Sequence, residues 1–134
     1  MKRPILAFIA ALVTWVIVAS LLNHGLRVAF DGYAAAEPTM SFTLGMMLAR
    51  LVIGALASLA AGAAIGWIAP GRARTPWVFA VLWLAAFIPE HVKLWHLFPV
   101  WYHLTFLLSL VPLVILGSKM APSGAPEGIK PHAR

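Results

Sequence analysis

Cysteine is absent from the 134 residues of this chain. Its absence excludes disulfide bonds, thiolate metal sites and cysteine redox chemistry, although it says little about the compartment. Charged residues are also scarce, at 10% of the chain, whereas 62% of the residues are hydrophobic. A soluble domain of this length needs far more polar surface. The composition therefore predicts an integral membrane protein with no separate soluble domain.

The short motifs of enzymes and metal proteins are missing as well. No His-x-x-His or Glu-x-x-His spacing occurs, so a zinc, copper or haem site is not expected. Gly62 and Gly66 lack the following Lys-Ser or Lys-Thr of a phosphate-binding loop. The serines have no base near them in the sequence. We therefore expect no cofactor, no metal and no enzymatic activity.

The ten lysines and arginines lie at the ends of the apolar segments, as orientation in a membrane requires. The formal net charge of +6 is therefore not read as nucleic-acid binding. One side of the expected membrane holds Lys2, Arg3, Arg72, Arg74, Lys119, Lys130 and Arg134. The other side holds only Arg27, Arg50 and Lys93. The positive-inside rule then predicts that both termini are cytoplasmic.

Four apolar segments are long enough to cross a hydrocarbon core of about 30 Å. We expect an all-α, four-helix transmembrane bundle within residues 1–120, with short loops and spans at about 4–23, 44–69, 76–98 and 99–117. A third span that stopped at Pro89 would be too short, so we expect it to continue through a kink there. Residues 121–134 contain three prolines and two glycines and are expected to form a disordered cytoplasmic tail.

A cleaved signal peptide is the alternative interpretation of the first segment, because Ala34, Ala35 and Ala36 offer a small-residue cleavage site. That site lies about 14 residues beyond the apolar run, which is too far for a usual cleavage region. The first segment is therefore interpreted as a membrane span.

Small residues repeat every four positions along the second segment, at Gly54, Ser58, Gly62 and Gly66. Residues four apart share one face of a helix, so this face is almost free of side chains. Small-xxx-small repeats are typical of close helix–helix contacts in membranes. We expect this face to pack against another helix, most simply the first or third span of the same chain.

The unusual polar residues gather toward the predicted outer side, where the candidate vestibule comprises Arg50, Glu90, His91, Lys93 and His103. An ionisable group within hydrocarbon is expensive unless it is paired or hydrated. Arg50 and Glu90 are opposite charges on different spans at similar depth, so we expect them to pair, with His91 and His103 beside them. The alternative is that the charged residues extend to the membrane surface and the histidines lie at the interface.

In size and number of spans the chain resembles the small multidrug resistance transporters. That family needs a carboxylate in its first span, and residues 4–22 contain none. Fluoride channels have a similar size, but their asparagine-bearing helices are missing, since Asn23 is the only asparagine. No site residue is carried over from either family.

Three functions remain as hypotheses. The first is a bacterial inner-membrane protein without enzymatic activity, which acts as an accessory or structural subunit through helix association. The second is a small transporter or channel that uses the outer polar vestibule. The third is a membrane redox or metal-binding protein. The expected partners are the lipid bilayer and another membrane protein or a second copy of this chain, and not nucleic acid.

Overall fold

The computed structural model describes residues 2–122, and this part of the chain is helical without any β-strand. Its helices are α1 (Lys2–Ala29), α2 (Tyr33–Ala36, followed by a 3-10 turn, Glu37–Thr39), α3 (Leu44–Ile68), α4 (Arg74–Lys93) and α5 (Val100–Met120). Within the described range, α1, α3, α4 and α5 are long and apolar enough to cross a membrane. The predicted all-α class and four apolar helices are confirmed, and they fit a multi-pass membrane protein. The expected tail beyond residue 122 lies outside the described residues.

Local chemistry fixes the ends of α3. The Thr43 side chain accepts a hydrogen bond from the backbone N–H of Met46 at 3.3 Å, which satisfies a free donor of the first turn. At the other end, Gly71 turns the chain with a φ of +73°, a conformation that glycine adopts without a steric cost. These bounds lie within one residue of the predicted span 44–69.

Helix α4 passes through Pro89, but it ends at Lys93 instead of continuing toward residue 98. After Lys93 the backbone N–H groups of Trp95 and Leu97 bond to carbonyls three residues back, which tightens the chain into turns. Pro99 then disfavours an α conformation at Phe98 and begins α5 in an extended conformation. The connection between α4 and α5 is therefore six residues long, and the hairpin turns earlier than the predicted spans 76–98 and 99–117 imply.

Helices α3 and α5 lie side by side and run in the same direction. Gly54 faces Phe106, Gly62 faces Val114, and Gly66 faces Ser118. The two numbers in each of these pairs differ by the same 52 residues, so one register holds along the whole contact. Helix α4 connects the end of α3 to the start of α5, and α1 also packs against α3.

The glycine seam, defined as Gly54, Gly62 and Gly66 of α3 with Gly117 of α5, brings the two backbones into direct contact. A Cβ at Gly62 would overlap the carbonyl oxygen of Val114, and one at Gly117 would overlap the carbonyl oxygen of Leu59. The expected packing of this face within the chain is therefore found. The expected partner is wrong for the glycines, because they contact the fourth span and not the first or third.

Ser58 behaves differently from the three glycines of its repeat. It is buried beside α1, where its hydroxyl accepts a hydrogen bond from Trp15 Nε1 at 3.2 Å. The same hydroxyl donates to the carbonyl oxygen of Gly54 at 2.7 Å. Ser58 thus joins α3 to the first span, as one of the predicted alternatives required, while the glycines join it to α5.

Aromatic side chains fill the opposite side of the bundle, between α1, α4 and α5. Phe8 and Phe79 contact edge to face with ring centroids 5.2 Å apart, and Trp15 meets Trp83 at 5.4 Å. Phe87 continues this layer toward α5. The bundle is therefore asymmetric, since backbones touch along one side and large rings separate the helices along the other.

Replacing Gly62 with alanine tests the glycine seam. The added methyl group would meet the Val114 carbonyl and would lie 2.8 Å from the backbone nitrogen of Ser118, so the two helices would have to separate. We expect the free energy of unfolding in detergent to fall by about 1–3 kcal/mol.

The matched control is Gly25→Ala on α1, where a Cβ meets nothing within 4 Å. Alanine favours a helix over glycine by about 1 kcal/mol, so this variant should be unchanged or slightly stabilised. Equal effects of the two substitutions would contradict close contact at Gly62.

Candidate functional site

A cavity of about 390 Å³ lies between the helices at the α2 end of the bundle, where α1 and α4 finish and α3 and α5 begin. Apolar rings form much of its wall, including Trp15, Phe87 and Phe106. Its polar lining consists of Ser20, Asn23, Glu37, Arg50, Glu90, His91, Tyr102 and His103. We call this space the polar cavity. Four of the five residues of the predicted vestibule line it, and Lys93 does not.

Arg50 extends into the polar cavity between two tyrosines. Its Nη1 donates a hydrogen bond to the hydroxyl of Tyr33 at 2.8 Å, and its Nε donates to the hydroxyl of Tyr102 at 3.3 Å. Its guanidinium carbon also lies 4.7 Å from the centre of the Phe42 ring, in cation–π geometry. Neutral groups thus orient the guanidinium without neutralising its charge.

Tyr33 reaches Arg50 because α2 folds back over the end of the bundle. Gly32 precedes α2 with a φ of +81°, which reverses the chain after α1. The Tyr33 side chain is fully buried and stacks on Phe42 with ring centroids 5.3 Å apart. Its hydroxyl donates to Asn23 Oδ1 at 2.6 Å while it accepts from Arg50. The segment between α1 and α3 is therefore part of the site.

The expected pairing of Arg50 with Glu90 is wrong. Within the described residues Arg50 makes no salt bridge, and Glu90 instead accepts a hydrogen bond from Lys93 Nζ at 3.0 Å. Both side chains of that pair are more than half exposed. Successive residues on a helix point about 100° apart, so the inward position of His91 turns its neighbour Glu90 toward the rim.

Glu37, the second carboxylate of the cavity lining, is also paired. Arg27 donates two hydrogen bonds to it, one of them from Nη2 to Oε2 at 2.8 Å. These bonds hold the pKa of the Glu37 carboxyl below its usual range, so the group is ionised at neutral pH. Arg27 and Lys93 lie outside the cavity lining and pair with Glu37 and Glu90, so among the described residues Arg50 is the charged group of the lining that makes no salt bridge.

His91 and His103 form a buried pair across the α4–α5 hairpin. Their Nδ1 atoms lie 2.7 Å apart, within hydrogen-bond distance. His91 is 8% exposed, and His103 is completely buried. His91 stacks on Phe106 with ring centroids 4.8 Å apart, and His103 stacks on Trp95 at 4.7 Å. In the described part of the chain, the Nε2 atom of His103 has no hydrogen-bond partner.

The sequence predicted that both histidines belong to the vestibule, but it did not predict that they contact each other. In an antiparallel hairpin, residues at nearly equal distances from the turn lie close to each other. His91 lies two residues before the end of α4 and His103 lies three residues after the start of α5. The predicted third span extended to residue 98, which placed the turn too late in the chain. The two histidines were then no longer at similar distances from the turn. The proline at position 99 and the turn before it would have revealed the pair.

The tyrosine partners of Arg50 were also missed. The prediction considered only charged partners for Arg50, whereas the structure supplies hydroxyl groups. Tyr102 is 6% exposed and faces the cavity. The signal that finds it is the seam register, because Arg50 and Tyr102 differ by the same 52 residues as the glycine contacts.

Among residues 2–122, no group of three or more histidine, cysteine, aspartate or glutamate side chains is arranged to hold a metal ion. Comparisons of the chain with protein-family models, with curated proteins and with solved structures gave no match.

Tyr33→Phe tests the network that orients Arg50. The substitution keeps the aromatic stack on Phe42 but removes the hydroxyl that bonds to both Arg50 and Asn23. Hydrogen bonds to charged groups contribute about 1.5–3 kcal/mol, so we expect a loss of this order in the free energy of unfolding in detergent.

The comparison variant is Tyr102→Phe, whose bond to Arg50 is longer at 3.3 Å. It should destabilise the protein less than Tyr33→Phe. If removing the Tyr33 hydroxyl has no effect, that hydroxyl does not hold Arg50 in place.

Proposed function

We propose that this protein is a small transporter that binds an anion in the polar cavity. The ligand class is a small molecule that carries a carboxylate or a phosphate. The observation that supports this proposal most directly is the environment of Arg50, whose guanidinium faces a cavity and is held by two hydroxyl groups instead of a carboxylate. A guanidinium binds carboxylate and phosphate oxygens through paired hydrogen bonds.

The cavity supplies the rest of a small-molecule site. Its volume of about 390 Å³ falls within the range of about 300–1,000 Å³ that is usual for ligand pockets. Aromatic walls surround a few polar groups, as such pockets require. The local charge favours an anion, because each lining carboxylate is paired with a basic residue, whereas Arg50 makes no salt bridge with any described residue.

The accessory function proposed from the glycine repeat has lost its specific support. That function required the repeat to associate with another protein, whereas Gly54, Gly62 and Gly66 contact α5 of the same chain. The redox or metal function has no support from a ligand cluster in the described residues. A polar cavity that contains Arg50 favours the transporter over both.

We further propose that the protein lies in a bacterial cytoplasmic membrane with both termini inside, so that the polar cavity opens to the outer side. The distribution of basic residues supports this orientation. Lys2, Arg3, Arg72, Arg74 and Lys119 belong to the end of the bundle opposite α2. The positive-inside rule places the more basic end in the cytoplasm.

Single cysteines test the orientation without interference, because the natural chain contains none. Ala35→Cys and Ala73→Cys introduce thiols at exposed positions at opposite ends of the bundle. A membrane-impermeant maleimide should label the Ala35→Cys variant in intact cells. It should label the Ala73→Cys variant only after the cells are opened. The reverse pattern would overturn the proposed orientation.

Anion binding is measured on the full chain in lipid nanodiscs by isothermal titration calorimetry. The probes are acetate, succinate and inorganic phosphate, with a neutral sugar as the reference compound. We expect at least one anion to bind saturably. Arg50→Gln should weaken that binding at least about tenfold, equivalent to about 1.4 kcal/mol, and Arg50→Lys should restore part of it.

The control variant is Arg72→Gln, which removes the same charge at the opposite, exposed end of the bundle. It should leave the anion affinity unchanged. Equal losses in the two glutamine variants would mean that the effect is a general response to charge. If no anion binds and Arg50→Gln is otherwise normal, the transporter proposal fails and a structural subunit is the better function.

A further inference from the structure

We propose that the His91–His103 pair binds one exchangeable proton as a unit, and that the polar cavity takes up this proton together with its anion. The site would then be a proton-coupled anion site. The one-proton behaviour of the pair follows from its own geometry, whereas the coupling to an anion rests on the function proposed above.

The distance between the two rings fixes how protons are arranged. Two Nδ1 atoms 2.7 Å apart share one hydrogen, so one ring donates and the other accepts. In the neutral pair, the donor ring therefore has a bare Nε2 atom. The acceptor ring has its own hydrogen on Nε2. A neutral pair thus contains two ring protons and one free basic nitrogen.

The first added proton binds to that bare Nε2 and leaves the Nδ1–Nδ1 hydrogen bond intact. A second added proton would have to occupy the accepting Nδ1. Two N–H groups would then point at each other at 2.7 Å, and two positive rings would be adjacent in a buried place. The pair therefore takes up one proton where two independent histidines would take up two.

Burial identifies the ring that receives the proton. His91 lines the cavity and retains 8% exposure, whereas His103 is fully buried and its Nε2 has no partner in the described range. We assign His91 as the donor, so that its bare Nε2 is the basic atom. His103 then accepts at Nδ1 and keeps its hydrogen on Nε2. A proton from the cavity can reach His91 without any movement of His103.

The groups around the pair determine its response to an anion. Helix α3 contributes the positive Arg50, and α5 contributes the neutral hydroxyl of Tyr102. Helix α4 contributes Glu90, which Lys93 offsets, and the α2 segment contributes Glu37, which Arg27 of α1 offsets. Because Arg50 and the histidine pair line the same cavity, we expect the positive Arg50 to oppose a positive charge on the pair when no anion is bound.

An anion bound at Arg50 removes that opposition. Proton uptake by the histidine pair then becomes more favourable, and by linkage the protonated pair also binds the anion more tightly. For a monovalent anion the two events together leave the net charge of the cavity unchanged. Charge is thus balanced within the bundle, where an uncompensated charge is costly.

The one-proton behaviour is tested without any anion, by nuclear magnetic resonance on the full chain labelled with ¹⁵N-histidine. Between pH 8 and pH 4 we expect the pair to gain one proton in total, with a nitrogen–nitrogen coupling across the shared hydrogen bond. His96→Gln serves as the control, since His96 is exposed and lies on the connection before Pro99. It should leave the coupling intact, and His103→Gln should abolish it.

If His91 and His103 each take up a proton independently, or if no coupling is seen, the one-proton proposal is overturned. This result is measured on the unsubstituted chain. The test therefore does not depend on whether the His103→Gln variant folds.

The coupling is tested by calorimetry with the best-binding probe anion in buffers of different ionisation enthalpy. We expect uptake of up to one proton per anion bound, and a dissociation constant that falls by up to about tenfold per pH unit as the pH decreases. His91→Gln should remove the proton uptake and flatten the pH dependence, and His96→Gln should not.

The outcomes separate the two proposals. Anion binding with no proton uptake overturns the coupling and leaves the anion site in place. If none of the probe anions binds, the proposed function fails and the coupling fails with it, while the nuclear magnetic resonance result still decides whether the pair takes up one proton.

Discussion

The contact between the backbones of α3 and α5 is the constraint on which the rest of the structure depends. Gly62 lies against the Val114 carbonyl, and Gly117 lies against the Leu59 carbonyl, so each helix supplies a gap for the other. A contact of this kind tolerates only one register. Moving one turn up both helices from Gly54 and Phe106 leads to Arg50 and Tyr102, which are then opposite each other. The polar cavity inherits its geometry from this packing.

The aromatic side of the bundle complements the seam. Since α3 and α5 approach closely, α1 and α4 need large side chains to fill the space between them, and Trp15, Trp83 and Phe87 do so. Trp15 also lines the polar cavity and donates to Ser58 on α3. Trp15 thus connects the aromatic contacts between α1 and α4 to α3, the helix that contains Arg50.

Sequence patterns predicted the helices well because composition and length decide whether a segment can cross a membrane. The four-residue repeat predicted a contact face, but periodicity specifies a face and not its partner, so α5 was missed. The Arg50–Glu90 pairing failed because depth was estimated while rotation about the α4 axis was not. His91 faces inward at the neighbouring position, which leaves Glu90 at the rim with Lys93.

The histidine contact depended on a boundary that hydropathy does not mark. The residues after Lys93 are apolar enough to continue a span, and only the backbone turns before Pro99 end the helix there. Tyr33 was hidden for a related reason, since α2 lies in a connection whose hydrophobic pattern is weak. Contacts that depend on how connections fold were the ones that the sequence alone did not predict.

The parallel arrangement of α3 and α5 also imposes an order on biosynthesis. A ribosome delivers α3 with its glycine face uncovered, and the residues that cover that face are added only after α4 has been made. Tyr33 can hold Arg50 as soon as α3 emerges, because it precedes Arg50 in the chain, but Tyr102 joins about fifty residues later. In the nascent protein Arg50 can therefore form the hydrogen bond to Tyr33 before the last helix is translated, but the bond to Tyr102 only afterwards.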